Sequence, residues 1–346
     1  QGDRTMGIWE HPPEAFLNQL DKNTGILSPR DSGLDAVNSI KAMHNKKCEV
    51  FFAMGGNFLS ATPDTLYTAK ALRNCGLTVQ VSTKLNRSHL VTGSEAIILP
   101  CLGRTEIDIQ NKEKQFVTVE NSMGVVHTST GGMKPASEYL LSEPKIVSEL
   151  AKYTFGENSP VDWNGLVQNY DNIRDLIELC IPGFTDYNER VRRPEGFYLP
   201  NPPRDSREFN TPTGRANFTL NDIPNNILEE GKYMMMTIRS HDQYNTTIYG
   251  HDDRYRGIKG NRRIVLMNKE DMKKLGVNTK DLVTLRCDKD GVERLAKDFA
   301  VIGFEIPVGC VATYFPEANC LIPITSVAAK SNTPASKSVP IEIIAN

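Results

Sequence analysis

The sequence lacks the features that mark a membrane protein, a nucleic-acid binder or a metal-cluster protein. No apolar run approaches the roughly 20 residues that a membrane helix needs. The net charge over 346 residues is only −2, so no excess of positive charge predicts binding to a nucleic acid or to a membrane surface. Among the seven cysteines and six histidines there is no CxxC, HxH or HExxH motif. We therefore predict no nucleic acid or membrane partner, and no metal site built from this chain alone.

The cysteines and the first residues bear on where the protein works. Seven scattered cysteines, an odd number without metal spacing, fit a reducing cytoplasm better than a disulfide framework. The chain starts with Gln-Gly-Asp-Arg-Thr-Met-Gly and has no initiator methionine, basic n-region or apolar h-region there. We expect a cytoplasmic protein and a chain that begins in the middle of a longer one.

The first third of the chain alternates helical and strand-like segments. Composition is that of an ordinary soluble protein, with 39% hydrophobic and 24% charged residues. Helical spacing covers 34–47, an unbroken apolar run at 48–54 predicts a buried strand, and Thr62 with Pro63 predicts the start of a helix that ends near Leu72. Further strands are predicted at 77–81 and 96–100. This rhythm is typical of a doubly wound parallel sheet, so the fold class is α/β.

Two polar loops follow the first two strands, at the edge where open α/β sheets bind ligands. Gly55 and Gly56 would let the backbone approach a phosphate, and Asn57 could bond a sugar or a base, although a simple tight turn explains them equally well. The loop at 82–89 brings two cations together with polar groups that suit a phosphate or diphosphate. Its candidate ligand contacts are Lys84, Asn86, Arg87 and His89. A solvated loop is the alternative.

The middle of the chain is mixed, and the last third is rich in predicted strands. A hairpin is predicted at 116–127, helices at 142–153 and 167–180, and the proline-rich connection at 189–213 is the best domain boundary. Short strands with polar turns then favour a small barrel. These strands are predicted at 233–238, 262–267, 282–287, 296–302, 310–315 and 340–344, with a helix at 268–275 that Gly276 ends.

The densest polar stretch of the chain is 237–257, T-I-R-S-H-D-Q-Y-N-T-T-I-Y-G-H-D-D-R-Y-R-G. It follows the apolar run 233–236 and holds three Arg, two His, three Asp and three Tyr. The stretch is either a solvated surface loop or a cradle for a large, multiply anionic ligand. His241 is also open to interpretation as an acid–base residue.

Several motifs together resemble a known family. They are Q-G-D-R-T-M-G at 1–7, the strand with G-G-N-F at 50–58, S-T-K-L-N-R-S-H-L at 82–90, I-I-L-P-C-L-G-R-T-E at 97–106, E-N-S-M-G at 120–124, T-P-T-G-R-A at 211–216 and N-K-E-D-M-K-K-L-G-V at 268–277. The stretch at 237–257 with Y-F-P-E-A-N at 314–319 is the most specific. The chain resembles the carboxyl-terminal half of the molybdopterin oxidoreductases, the formate dehydrogenase and dimethyl-sulfoxide reductase group, and within it the formate-dehydrogenase-like acid-resistance branch.

This resemblance implies three domains and a specific cofactor. The domains are a partial αβα dinucleotide-binding-like domain at 1–103, a mixed α+β connecting domain at 104–195 and a six-stranded β-barrel of the double-psi type at 196–346. The implied cofactor is bis-molybdopterin guanine dinucleotide with Mo (or W). One pterin and its diphosphate would contact Arg239, Ser240, His241, Asp242, Gln243, Tyr244 and Asn245, and the same wall would include Asn319 and Lys337. The nucleotide end of the other dinucleotide would contact Gly55, Gly56, Asn57, Lys84, Asn86, Arg87 and His89.

The resemblance also implies a division of labour within a longer protein. The partner of this chain would be the missing amino-terminal half, which would carry the metal ligand, so we predict no catalytic residue here. The full-length protein would perform two-electron redox chemistry on formate or an oxyanion-like small molecule, while the fragment by itself would be inactive and without cofactor. One alternative is a cofactor-binding stress or acid-resistance protein without turnover. A conventional NAD-binding enzyme ranks low because GxGxxG is missing.

Overall fold

The computed structural model describes residues 11–223, 227–246 and 248–346. In chain order the helices are α1 (Glu14–Thr24), α2 (Ala36–His44), α3 (Phe58–Ala61), α4 (Thr65–Arg73), α5 (Glu143–Phe155), α6 (Trp163–Gln168), α7 (Asp171–Cys180), α8 (Tyr187–Arg190), α9 (Pro202–Asp205) and α10 (Lys269–Leu275). The strands are β1 (Val50–Met54), β2 (Leu77–Ser82), β3 (Glu95–Pro100), β4 (Ile109–Gln110), β5 (Glu113–Lys114), β6 (Val117–Glu120), β7 (Val125–Ser129), β8 (Phe197–Tyr198), β9 (Lys232–Ile238), β10 (Ile264–Met267), β11 (Leu282–Cys287), β12 (Arg294–Gly303), β13 (Cys310–Tyr314) and β14 (Val339–Ala345).

These elements form two compact units. The first unit contains 11–33 and 100–223, and the second contains 34–99 and 227–346. All sixteen predicted cofactor contacts lie in the second unit, because they fall between Gly55 and His89 or between Arg239 and Lys337. Within the described residues, no helix combines the length and the apolar character that crossing a membrane requires.

In the first unit, the predicted hairpin is present and one predicted helix is divided. β6 and β7 pair antiparallel, and β8 adds to β7. The helix predicted at 167–180 is wrong as a single element, because the extended backbone of Asn169 separates α6 from α7. Tyr170 follows this break: it is buried, its N–H donates to Gln115 Oε1 (2.9 Å) and its hydroxyl donates to Asp108. The backbone N–H of Tyr170 is thus satisfied by a side chain and not by a carbonyl of the preceding helix.

The second unit begins with the predicted parallel sheet. β1 pairs in parallel with β2, and β3 lies on the other side of β2. Helices α2 and α4 cover one face, where Ile40 and Leu72 are fully buried. The expectation that β1 is buried is wrong for its other face: Val50 is 56% exposed and Met54 39%. An apolar run typical of a strand covered on both faces is therefore covered on only one by the described residues.

The predicted start of α4 is also wrong. Thr62 ends α3, and its hydroxyl donates to the Phe58 carbonyl (2.8 Å). The residue that precedes α4 is Asp64, which has left-handed backbone geometry (φ 51°). Its carboxylate does not cap the helix, because it is paired with Arg294 of β12 at 2.7 Å. A long-range ion pair has displaced the local capping interaction that the sequence suggests.

The last third of the chain is the predicted six-stranded barrel. The closed order is β10-β12-β11-β14-β9-β13, with two parallel pairs, β10 with β12 and β9 with β13. This mixture of parallel and antiparallel pairs agrees with the predicted double-psi type. Asn268 caps α10 by accepting from the Glu270 N–H (2.8 Å), and Gly276 ends it with φ 75°. The turn at 211–214 also predicts a strand directly after it, and this prediction is wrong, since 206–223 contains no strand.

Candidate functional site

A buried arginine organises the loop that follows β9. Arg262 is 4% exposed and makes a two-pronged ion pair with Glu317, Nε to Oε1 at 2.7 Å and Nη2 to Oε2 at 3.2 Å. Its Nη1 donates to Ser240 Oγ (2.7 Å), and its Nη2 also donates to Gln243 Oε1 (3.1 Å) and the Phe315 carbonyl (2.9 Å). A guanidinium fork that reaches four partners fixes the loop against the segment after β13.

The side chains of Ser240 and Gln243 form their hydrogen bonds within this scaffold. Gln243 Oε1 accepts from the Ser240 N–H (3.0 Å), while its Nε2 donates to the Asn245 carbonyl (2.7 Å) and the Phe315 carbonyl (2.9 Å). An amide group with both ends bonded has little capacity left for a ligand. In the structure these two residues hold the loop in shape, and their contacts with a ligand stay a prediction.

A second scaffold centres on Asp253, whose side chain is 1% exposed. It accepts hydrogen bonds from His241 Nδ1 (2.9 Å), Arg256 Nη1 (2.6 Å) and the Tyr314 hydroxyl (2.7 Å). Burial would raise the pKa of Asp253, but the bonds from Tyr314, Arg256 and His241 outweigh it and hold this pKa below its ordinary value. Burial and the Asp253 carboxylate raise the pKa of Tyr314. The carboxylate therefore stays charged and fully bonded.

Two cations next to this loop lack a carboxylate partner. The Lys337 ammonium donates to the Thr237 carbonyl, and Arg239 lies over the Phe315 ring at 6.0 Å. Among the described residues neither forms an ion pair. Partial burial, and after it the charge of Arg239, lowers the pKa of Lys337. Two like charges held together without a counter-charge make a ready site for an anion.

The remaining loop residues are open to solvent. The Asp242 side chain is 71% exposed and pairs with Arg254 at 3.6 Å. Tyr244 is 67% exposed, and its backbone exchanges hydrogen bonds with Ile248. Asn245 has φ 49°, which places its side chain on a tight turn. These three residues have side chains available to a ligand.

The structure brings the two sheet loops together and joins them to the loop after β9. Asn86 Nδ2 donates to the Gly56 carbonyl (2.8 Å), and Ser88 Oγ donates to Asn57 Oδ1 (3.1 Å). Asn57 is 6% exposed, and its Nδ2 reaches the Thr246 carbonyl at 3.5 Å. Gly55 and Gly56 have φ of 69° and 77°, a conformation that favours glycine. Asn57 thus acts first as a clamp between loops.

Two buried polar atoms near these loops have no partner among the described residues. His89 Nδ1 lies 3.0 Å from the Asn86 N–H and 3.2 Å from the Asn86 carbonyl, and its Nε2 is buried and unbonded. Asn319 donates through Nδ2 to the Ser60 carbonyl (2.8 Å) and the Ala61 carbonyl (3.1 Å), but its Oδ1 is also buried and unbonded. Leaving such a group unpaired costs about 1–3 kcal/mol, so both atoms favour a polar ligand.

Comparison with known proteins identifies the domain that holds this loop. Residues 233–340 match the family described as the molydopterin dinucleotide binding domain. The chain carries a molybdopterin dinucleotide binding domain. That domain contains the loop after β9, both scaffolds, Asn319 and Lys337.

Two relatives are similar to this chain over nearly its whole length. It is 53% identical to an uncharacterized oxidoreductase of Mycobacterium tuberculosis and 41% identical to the protein YdeP of Escherichia coli, with 99% of this chain covered in each case. It spans about half the length of these relatives, 45% and 46%. The acetylene hydratase of Pelobacter acetylenicus has the same fold, with a TM-score of 0.61 at 12% identity over 99% of this chain and 50% of the hydratase.

The residues present fit a pterin dinucleotide. Its diphosphate requires positive charge, which Arg239 and Lys337 supply without a competing carboxylate. Its pterin edge requires hydrogen-bonding groups, which His241 and the unbonded Asn319 Oδ1 offer. Among the described residues, no three His, Cys, Asp or Glu side chains cluster closely enough to hold a metal ion.

The sequence prediction missed Arg262, Asp253 and Arg256. Asp253 and Arg256 lie inside the polar stretch 237–257. The sequence showed that this stretch is rich in Asp and Arg, but nothing in it singled out these two residues. Arg262 lies just beyond it, and nothing local distinguishes it from an exposed arginine before a strand. Their roles depend on partners that come together only in the folded barrel, Glu317 for Arg262 and Tyr314 for Asp253.

Proposed function

We propose that this chain binds a molybdopterin guanine dinucleotide cofactor and forms part of a formate-dehydrogenase-like oxidoreductase. The observation that carries the proposal is a pair of cations, Arg239 and Lys337, that lack a carboxylate partner among the described residues. They lie beside the loop after β9, which the scaffolds of Arg262 and Asp253 hold in place within a molybdopterin dinucleotide binding domain. A preformed polar wall of this kind lowers the entropic cost of ordering side chains around a large ligand.

The residues of the chain would have distinct tasks toward this cofactor. Arg239 and Lys337 would bind one diphosphate, and His241, Tyr244 and Asn245 would contact the adjoining pterin. Lys84 and Arg87, with the glycine loop and His89 Nε2, would bind the nucleotide end of a second dinucleotide. When bound, the cofactor would supply two-electron redox chemistry at Mo (or W). The task of this chain is to bind and orient.

The partner we propose is the rest of a longer protein, its amino-terminal half. Two observations support this: the chain spans about half the length of its relatives, and the sheet presents apolar side chains to solvent. Val50, Phe52 and Met54 alternate along β1, so they share one face of the sheet, and each is at least 38% exposed. A second layer over this sheet would bury them. We place the metal ligand and the catalytic residues in that half, and the protein in the cytoplasm, in keeping with its seven free cysteines.

The first test measures cofactor content. Full-length protein purified from a molybdenum-replete host is expected to carry roughly one Mo and two guanine dinucleotides per chain. Metal analysis, pterin fluorescence and release of GMP on acid hydrolysis measure the three components. Protein that is folded but contains neither metal nor pterin would contradict the proposal.

The second test separates turnover from binding alone. Cofactor-loaded full-length protein is expected to reduce an artificial electron acceptor with formate, and the 346-residue chain is expected to show no turnover in the same assay. Loaded protein that fails with formate and with small oxyanions would favour the second candidate, a cofactor-binding protein of stress or acid resistance without catalysis. Turnover by the 346-residue chain would show that the proposed division of labour is wrong.

A further inference from the structure

The scaffold centred on Asp253 determines the orientation of the His241 imidazole, the group of the loop that can either donate or accept a hydrogen bond. His241 Nδ1 lies 2.9 Å from Asp253 Oδ1, and the ring packs against Tyr255 with centroids 4.5 Å apart. The side chain of His241 is nevertheless 44% exposed. Because the Nδ1 edge faces a buried carboxylate, the edge that carries Nε2 is the one directed to solvent.

The same contact fixes the proton on the ring. An unprotonated Nδ1 would direct its lone pair at the Asp253 carboxylate, which is repulsive at 2.9 Å. Arg256 Nη1 lies 3.4 Å from His241 Nδ1, but it is committed to Asp253 Oδ2 at 2.6 Å. The proton therefore resides on Nδ1, and Nε2 of the neutral ring is a hydrogen-bond acceptor.

The other two partners of Asp253 keep this arrangement rigid. The Tyr314 hydroxyl comes from the barrel strand β13, and Arg256 also donates to the Arg239 carbonyl (3.1 Å). The carboxylate is thereby fixed to the barrel on one side and to the first residue of the loop on the other. A side chain bonded from three directions cannot rotate away from His241 without leaving charged groups unpaired.

We propose that Asp253 is a positioning residue that holds His241 with its proton on Nδ1, so that Nε2 accepts a hydrogen bond from an N–H group of the bound pterin. This inference rests on the proposed function, and it adds the residue that acts through His241 and the atom that meets the ligand. An acceptor at this place complements the N–H donors of a pterin edge, whereas the phosphates, which only accept, go to Arg239 and Lys337.

A double-mutant cycle tests whether Asp253 acts through His241. The full-length cofactor-loaded protein, D253N, H241Q and the double variant are diluted, and the rate of guanine dinucleotide loss is measured by filtration and GMP release. Each single substitution is expected to speed the loss about tenfold, as removal of a supporting partner commonly does, and the double variant is expected to be no faster than either. Multiplicative effects near a hundredfold would show that Asp253 acts independently of His241 and would overturn the proposal.

The matched control is the neighbouring carboxylate. Asp252 accepts from the Gly260 N–H (2.7 Å) and does not contact His241 in the structure. D252N is expected to lose the dinucleotide at the wild-type rate. Thermal denaturation of the apoprotein measures any effect of D253N on folding. A purely structural role of Asp253 would lower Tm, and the effects of the two single substitutions on the loss rate would then multiply in the double variant.

A chemical footprint keeps the proposal testable if D253N does not fold. Diethyl pyrocarbonate modifies exposed imidazole nitrogens, and mass spectrometry reports each histidine separately. In the unmodified full-length protein, His241 is expected to react at least about tenfold more slowly when the cofactor is bound than after its removal, whereas exposed His251 reacts equally in both states. Equal reactivity of His241 in both states would overturn the proposal. Wild-type protein without any pterin would instead refute the proposed function itself.

Discussion

Replacing Arg294 with methionine is expected to lower the free energy of unfolding by about 3–5 kcal/mol. The Arg294 side chain is 5% exposed and its Nη2 lies 2.7 Å from Oδ2 of Asp64, whose side chain is 6% exposed. Arg294 also pairs with Asp290 at 2.9 Å. Removing the cation leaves the Asp64 carboxylate buried without its counter-charge, which is far more costly than losing an exposed ion pair.

Urea denaturation of the wild type and the variant at neutral pH measures this loss. The double variant Arg294→Met, Asp64→Leu is expected to recover a large part of it, because neither charge is then buried alone. Arg254→Met provides the comparison for an exposed pair: both side chains are 71% exposed and the atoms are 3.6 Å apart. That substitution is expected to cost at most about 1 kcal/mol. If Arg294→Met cost no more than Arg254→Met, the pair would not stabilise the protein as argued.

This ion pair shows why the sequence could not supply everything. Asp64 and Arg294 are 230 positions apart, and the local signal favoured Thr62 and Pro63 as the start of α4. Local rules describe capping well when a side chain is free to cap. Here the carboxylate that stands at the cap position is taken by the barrel, so the tertiary contact decides the geometry.

The barrel, by contrast, was predictable from the sequence. Its strands other than β12 are short, mainly apolar segments bounded by polar turns, and Gly276 ends α10 with the positive φ that glycine tolerates. These signals are local and agree with the final fold. The exposure of one face of β1 was not predictable. An apolar run indicates that a strand can be buried on both faces, but it does not show whether the segments that would cover those faces belong to the same 346 residues.

For the candidate site, sequence indicated the place better than the roles. The described residues of the polar stretch beyond β9, 239–246 and 248–257, lie in the connection to β10. Ser240 and Gln243 are bonded within it, whereas Arg239 and His241 are exposed. Residue types reveal hydrogen-bonding capacity, and only the folded structure shows where that capacity is spent. Arg262 and Asp253 each use that capacity in part on a partner more than 50 positions away, which the sequence does not place beside them.

Neutralising the two uncompensated cations is expected to have the largest effect on ligand binding. Arg239→Gln and Lys337→Gln are each predicted to weaken binding of guanosine diphosphate to cofactor-stripped protein by roughly tenfold to a hundredfold, since each removes a charge-assisted hydrogen bond to phosphate. Titration calorimetry at low and high salt measures the change, and salt should weaken the wild type more than the variants. Lys274→Gln, an exposed cation of α10, is the control and should bind as the wild type does.

The same substitutions separate a binding role from a structural one. Because partial burial and the charge of Arg239 lower the pKa of Lys337, the folded state disfavours the protonated ammonium, and this cost is present below that lowered pKa. Arg239→Gln relieves the repulsion, so the Tm of the ligand-free protein is expected to stay equal or rise while affinity falls. A variant that lost both stability and affinity would indicate that Arg239 supports the fold. An anion site formed by two mutually repelling cations requires that Arg239→Gln lower the affinity for the anion without lowering the Tm of the ligand-free protein.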